Sequence, residues 1–318
     1  IINILFSSLA SKIALFHAIE NDLRSISNNY RLIGADSDEN CPGASLVSHF
    51  SKMPPIHELN RQSLLLFLKA NAISFIIPTR DGELKFWAEH QQFLDQNKIG
   101  VMVSSSQAIA LCEDKLQFSE FFSAAQIPSI KTTVNLDSNF EGNPKFVVKE
   151  RRGSGSKAIG LNLGAGEAVK FASSLHDPIF QKQVEGKEFS AETWIDKLGK
   201  PNGIVLRWRQ LVVNGESHES TTFENKDWAD KLYDIFTKLV GLKGHDLDQV
   251  MVDTDEQLPL IEINPRLGGA SPLAIAAGLH SARWSVFEFD QKVDLISRMP
   301  KIETGLSLIK KNNQVSIR

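Results

Sequence analysis

Only two cysteines, Cys41 and Cys112, occur in 318 residues, which excludes a disulfide framework and leaves neither a CxxC pair nor a zinc-ligand spacing. A reducing cytoplasm suits such a chain best. No apolar run approaches the roughly 20 residues needed to span a bilayer, so no membrane-crossing helix is expected. The apolar start, residues 1–10, lacks a basic leading region and reads as a buried first strand rather than a signal sequence. Charge of one sign is scarce as well. The 35 Lys and Arg against 38 Asp and Glu leave a net charge of −3, which gives no global electrostatic reason to expect nucleic acid. The one locally basic stretch, residues 301–318, reads as solvated surface. There is no internal repeat, no low-complexity linker and no G-x-x-x-x-G-K-[ST] phosphate loop. What is present is a globular composition, 42% apolar, long enough for two or three packed lobes.

The first hundred residues alternate short apolar runs (2–6, 30–35, 74–78 and 100–103) with amphipathic stretches (12–28, 56–70 and 83–96). Strand and helix alternating at that spacing predict a doubly wound parallel sheet with its ligand-facing loops at the strands' carboxyl ends. Ser7, Ser8, Asp36 and residues 79–83 fall on those loops, where Asp36 and Asp81 suit capping equally well. After residue 104 the pattern changes. Two helices, 106–111 and 115–125, lead into strand-rich segments at 145–150, 158–163, 179–184, 189–195 and 203–213, then a helix at 228–240. This second part is an α+β unit.

The most informative segment is Leu-Pro-Leu-Ile-Glu-Ile-Asn-Pro-Arg-Leu-Gly-Gly at 258–269. Side chains alternate along a strand, so Glu262 and Asn264 share one face while Ile261 and Ile263 point the other way. Pro265 ends the ladder, Arg266 follows, and Gly268 and Gly269 let the backbone pass close to a ligand. A carboxylate, an amide oxygen and a guanidinium together suit a metal-bound polyphosphate. A salt-bridged edge carboxylate and a turn-forming asparagine are the plainer alternative. The preceding run, 248–253, and the polar turn 254–257 form a hairpin that pairs Asp253 with Leu258 and sets Gln249 opposite Glu262. A slip of one residue would place Asp248 there instead.

Three further segments carry polar chemistry. Phe-Val-Val-Lys-Glu at 146–150 opens into Arg-Arg-Gly-Ser-Gly-Ser-Lys, so Lys149 and the turn Gly153, Ser154, Gly155, Ser156 offer an ammonium, hydroxyls and backbone N–H groups to phosphate. A surface hairpin tip would use the same residues. The crossover at 180–190 can present a backbone carbonyl and N–H to an adenine edge, with Glu188 accepting from ribose hydroxyls. Arg207 and Arg209 share one strand face, a pair that wants an anion unless the face is solvated. His218 reads as a loop residue that faces either substrate or, as the plainer reading, solvent.

The order of these pieces is more specific than any one of them. A lysine at a helix start (Glu113-Asp-Lys115), the Lys149 strand with its glycine turn, the crossover at 181–192, the arginine strand and the Glu-Ile-Asn-Pro-Arg element resemble, in this order, the ATP-grasp superfamily. Within it the likeness is to carbamoyl-phosphate-synthase-like enzymes of the carboxylate–amine ligase type, and it covers nearly the whole chain. The resemblance implies a pre-ATP-grasp α/β domain at 1–105, an ATP-grasp domain at 106–290 with lobes at about 115–184 and 185–290, and a C-terminal extension at 291–318. It implies ATP and Mg2+, with Mn2+ as the substitute. Lys115 and Lys149 would contact the nucleotide phosphates, and Gly153, Ser154, Gly155 and Ser156 would close over them. Gln181 and Val184 would give backbone contacts to adenine, with Lys182 nearby and Glu188 on the ribose. Gln249, Glu262 and Asn264 would hold the metal, and Arg209 and Arg266 would stabilise the transferring phosphoryl group. Two positions depart from relatives: Lys182 stands where glutamate is frequent, and Ala10 where glycine is usual. The implied function is ligation of a small-molecule carboxylate to an amine through an acyl phosphate, without nucleic-acid or membrane partners, and homodimers are common in similar proteins. A nucleotide-binding scaffold without turnover and a carboxylate or carbamate kinase are the alternatives.

Overall fold

The structure is a computed structural model that describes residues 1–136, 144–153, 158–296, 300–311 and 314–318. Strands β1 (Ile2–Phe6), β2 (Tyr30–Asp36), β3 (Phe50–Lys52), β4 (Ile73–Ile77) and β5 (Gly100–Val101) form a parallel sheet of order β3-β2-β1-β4-β5. Helices α1 (Ile13–Arg24), α2 (Arg61–Ala70) and α3 (Asp81–Gln96) join its strands. Such a sheet is covered on both faces, and Ile4, Leu5 and Phe6 of the central strand are accordingly all fully buried. The helix expected over 56–70 is divided. Asn60 accepts hydrogen bonds from Gln62 N and Ser63 N, both at 3.0 Å, and starts α2 there, leaving only a 3-10 turn at Ile56–Glu58. Helix α3 begins earlier than residue 83 because Glu83 Oε1 accepts from the backbone of Thr79 and Arg80. The three-residue β3 was not expected.

Helices α4 (Ser106–Glu113) and α5 (Lys115–Ala124) lead to β6 (Thr132–Thr133), β7 (Phe146–Glu150), β8 (Gly160–Leu163) and β9 (Pro178–Lys182), an antiparallel sheet of order β6-β9-β7-β8 backed by α6 (Ala165–Ala172). The larger sheet contains β10 (Lys187–Ile195), β11 (Pro201–Val213), β12 (Glu216–Phe223), β13 (Gly244–Val252), β14 (Leu260–Asn264), β15 (Ser307–Lys311) and β16 (Gln314–Ile317). Its order is β14-β13-β10-β11-β12-β15-β16, antiparallel throughout. Helix α7 (Lys226–Lys238) follows β12, capped by Asn225, and α8 (Ser271–Ala276) and α9 (Ser281–Phe289) follow β14.

Two readings are corrected. Residues 301–311 and 314–318 are not merely solvated surface: although most of their side chains are exposed or half-buried, β15 pairs with β12, and Leu308 is 1% exposed against Ala270 and Leu273. His218 lies in strand β12, not in a loop, and is half-buried. One apolar cluster runs from Phe6 and Phe16 through Ala274 and Phe287 to Trp194, so the parallel sheet and the seven-stranded sheet share a continuous interior. Burial of each large side chain there contributes about 1.5–3 kcal/mol, which fixes the loops of β1 and β4 relative to β13 and β14. No helix among the described residues is long and apolar enough to cross a membrane.

Candidate active site

A cavity of about 1250 Å3 opens where the three sheets meet, reached by Glu262 and Gln249 from one wall, Lys149 from another and Lys12 from the loop after β1. On β13 and β14 the register is the expected one at the site, with Gln249 opposite Glu262. Gln249 Nε2 donates to Glu262 Oε1 at 2.8 Å, and Asn264 Nδ2 donates to the same oxygen at 3.2 Å. Asp248 is not at this site, because it lies on the opposite face of β13 and is fully buried. The turn differs from expectation. Asp253 N donates to Gln257 O, and the ladder shifts between Gln249 and Val250, which pairs with Leu260. Ile261 is therefore the extra residue of a β-bulge. It lines the cavity beside Glu262, whereas Ile263 stays in the core, so the expected strict alternation fails at Ile261.

These residues form an all-oxygen donor set. Rotation of either amide exchanges its nitrogen for its oxygen at nearly the same point, which places one carboxylate and two amide oxygens around one position. That set fits Mg2+, which keeps several waters and takes its other ligands from phosphates. No group of three or more His, Cys, Asp or Glu suited to a metal occurs among the described residues, so a cation there depends on the two amides.

Lys149 on β7 and Lys115 at the start of α5 reach the same cavity. Burial lowers the pKa of both, and nearby Glu262 opposes that shift in each case. Lys115 Nζ donates to Gly153 O at 2.9 Å. The capping residue of α5, Asp114, accepts from Leu116 N and Gln117 N and also takes both Arg151 Nε and Nη2, at 2.7 and 2.8 Å. One carboxylate thus ties the lysine-bearing helix to the glycine turn. Gly153 lines the cavity, while Ser154, Gly155 and Ser156 lie outside the described residues.

Gln181, Lys182 and Val184 line the same cavity, as do the apolar residues Val147, Met251 and Ile261. The Gln181 side chain donates through Nε2 to Thr132 Oγ1 at 2.9 Å. Arg207 and Arg209 do not share a foreign anion: Arg207 is 1% exposed and pairs with Glu192 at 2.6 Å, and Arg209 pairs with Glu188 at 2.7 Å. Burial raises the pKa of Glu188, opposed by Arg209. Arg266 is held by both oxygens of Asp81, its Nη2 at 2.6 Å from Oδ2. Gly268 and Gly269 answer to the protein's own side chains. A Cβ at 268 would lie 2.5 Å from Leu247 and one at 269 would lie 1.9 Å from Glu216 Oε1, and Glu216 in turn accepts from Lys310 at 2.7 Å.

Sequence reasoning put Arg80 on a ligand-facing loop without a role, missed Lys12, Glu216 and Lys310 on the cavity wall, and did not see that Arg207 belongs to a buried group with Glu192 and His245 behind it. The available signal was the pair Glu188 and Glu192, four apart on β10 and thus on one strand face, beside Arg207 and Arg209 on β11.

Residues 112–270, half of the chain, match the family model of the ATP-grasp domain, and the chain belongs to that family. The fold superposes on N5-carboxyaminoimidazole synthetase from Staphylococcus aureus complexed with ADP, with a TM-score of 0.74 and 14% identity over 98% of this chain and 82% of that one. N5-carboxyaminoimidazole ribonucleotide synthetase from Thermus thermophilus gives 0.69 and 16%, over 97% and 82%. The biotin carboxylase domain of Hydrogenobacter thermophilus 2-oxoglutarate carboxylase, complexed with MgADP, ADP and bicarbonate, gives 0.72 and 14%, over 96% and 73%. At these identities the likeness is one of fold. No curated protein matches the sequence.

Proposed function

We propose that this chain is an ATP-dependent ligase that activates a small-molecule carboxylate as an acyl phosphate for attack by an amine, releasing ADP and phosphate. The observation that carries the reading is the convergence of Glu262, Gln249 and Asn264 on one point, in a cavity that also receives Lys149 and Lys115. The ADP and MgADP of the structural neighbours support ATP and Mg2+ as its reactants. Glu262, Gln249 and Asn264 would hold Mg2+, which supplies charge neutralisation on the phosphate oxygens.

The carboxylate oxygen attacks the γ-phosphorus, the bond to the β–γ bridging oxygen breaks, and ADP leaves. The amine nitrogen then adds to the acyl carbon, phosphate departs and the amine loses a proton. Transfer of this kind needs alignment and neutralisation of spread negative charge more than a protein nucleophile. Lys149 and Lys115 meet the nucleotide phosphates under the Gly153 turn. Arg209 and Arg266 stabilise the moving phosphoryl group, each held in place by its own carboxylate, Glu188 and Asp81. The backbone of Gln181 and Val184 binds adenine, with Lys182 beside it, and Glu188 keeps lone pairs for the ribose hydroxyls. We divide the chain into an α/β unit at 1–105 and an ATP-grasp unit from 106 onward, and join 291–318 to its larger lobe because β15 pairs with β12.

The test is ADP release against a panel of carboxylates and amines. Glu262→Ala is expected to abolish it with the circular dichroism spectrum retained. Unchanged release from that variant would sink the metal assignment, and no release by the unaltered protein with any pair, despite tight ATP binding, would favour a scaffold.

A further inference from the structure

The wall contributed by the parallel sheet carries two cations that are in no ion pair among the described residues. Among the described residues Lys12, in the loop after β1, donates to Ser8 O alone, at 2.7 Å, and Arg80, before α3, donates through Nε to Ser8 Oγ at 3.3 Å. Both line the cavity, and among the described residues neither is in an ion pair. Their acidic neighbours are engaged elsewhere. Glu83 accepts from Thr79 N and Arg80 N on one oxygen and from Trp87 Nε1 and Ser8 Oγ on the other. Asp36 accepts from Ala10 N and Asp38 N, and Asp81 clasps Arg266.

Two local features hold the pair in position. Ser8, at φ of 55°, accepts from Lys12 on its carbonyl and from Arg80 on its hydroxyl. Residue 82 is glycine, and a Cβ there would lie 2.8 Å from Arg80 Nη1, so the guanidinium rests over the first turn of α3. The pair is also electrostatically distinct from the nucleotide lysines. Lys115 and Lys149 both have Glu262 as a charged neighbour, whereas those of Lys12 are Glu83, Arg266, Arg80 and Asp36. Burial lowers the pKa of Lys12, opposed by Glu83, so its charge is costly without a partner.

We infer that Lys12 and Arg80 form a second anion subsite, which binds a carboxylate or phosphate group that one of the two substrates carries in addition to its reacting group. The inference rests on the ligase reading of the cavity. It narrows the substrates to pairs in which one member is a diacid, a phosphorylated acid or an amine bearing its own anionic group. A planar guanidinium takes such a group on two oxygens, and the ammonium takes the third contact.

The probe is pyridoxal 5′-phosphate, whose aldehyde forms an imine with an uncharged lysine and whose phosphate occupies an anion site, followed by borohydride reduction and peptide mapping. With ATP and Mg2+ present, the full chain is expected to be labelled at Lys12. The rate should exceed that with pyridoxal, which lacks the phosphate, by about tenfold, the effect of one charge-assisted hydrogen bond. Arg80→Gln should abolish that preference and Arg80→Lys should partly keep it. Protection by succinate or by inorganic phosphate identifies the group preferred, and protection by neither overturns the inference. Equal rates for the two probes at Lys12, or labelling confined to other lysines, overturns it as well. Whether ATP shields Lys115 and Lys149 in the same digest tests the nucleotide assignment separately.

Discussion

Removing one charge behind the cavity should unsettle the larger lobe more than any change on its rim. Glu192 is fully buried on β10, 2.6 Å from Arg207 Nε and 3.1 Å from His245 Nε2, and Arg207 donates further to Ser217 and Ser220. Glu192→Gln leaves the Arg207 guanidinium, itself 1% exposed, without its counter-ion. Breaking one partner out of a buried pair costs about 3–5 kcal/mol. The depression of the Glu192 carboxyl corresponds to a similar size. Burial alone would raise the Glu192 carboxyl, yet the Arg207 charge and the His245 hydrogen bond hold it at about 2 against an ordinary 4.5. That difference corresponds to about 3 kcal/mol. Because the folded-state value is depressed, this stability is present above the unfolded pKa and is lost as pH falls through about 2. A thermal scan at pH 7 should therefore show the variant melting roughly 6–12 °C lower, with the gap from the unaltered protein closing as pH falls below 4.5. Replacing both partners, Glu192→Met with Arg207→Met, should recover much of the loss. An unchanged midpoint for Glu192→Gln at pH 7, or a gap that ignores pH, would refute the account.

Three smaller perturbations probe other parts of the fold. Ala10 has φ of 41°, the left-handed region that favours glycine; Ala10→Gly should stabilise by about 0.5–1 kcal/mol after the entropy cost of glycine, read as a raised melting midpoint, and a fall would contradict it. Asp246 and Asp248 are fully buried on one face of β13 with no hydrogen-bond partner among the described residues, and burial pushes both carboxyls well up. Because the folded-state pKa is raised, stability is full below the unfolded value near 3.9 and is lost as pH rises, so the advantage of Asp246→Asn in thermal scans should grow from pH 4 to pH 8. Leu308→Ala empties the contact between β15 and Leu273 and should cost about 2–5 kcal/mol; an unshifted midpoint would mean that the C-terminal hairpin is dispensable to the lobe.

The parts of the site set by local spacing were legible before the structure, and those set by distant pairing were not. A regular hairpin pairing Asp253 with Leu258 sets Gln249 opposite Glu262; the turn instead joins Asp253 to Gln257, and the bulge at Ile261 restores that pairing. Lys115 could be placed at a helix start because Asp114 precedes it as a cap. Arg207 and Arg209 were visible as a charged face, but their partners Glu192 and Glu188 depend on the register between β10 and β11, which includes an irregularity at Thr193/Trp194. Asp81 and Arg266 are 185 residues apart, and nothing local to either announces the pair. The C-terminal hairpin was misread because its strands are short and the first ends in two lysines, while the pairing with β12 and the contact with Ala270 and Leu273 that bury Leu308 are distant in sequence.

The bulge at Ile261 explains how one strand can serve both a core and a polar cavity. A regular ladder continuing from Val250↔Leu260 would set Ile261, not Glu262, opposite Gln249. The inserted residue shifts the pairing by one, so Gln249 and Glu262 meet while Leu260 and Ile263 stay buried on the core side. Ile261 itself is turned into the cavity, near Val147 and Met251 and the crossover of Gln181 and Val184. A single irregularity therefore turns Ile261 into the cavity next in sequence to Glu262, so that one wall carries apolar side chains as well as a carboxylate and two amides. That adjacency, more than any charge in the cavity, is what a protein built only to bind phosphate would not require.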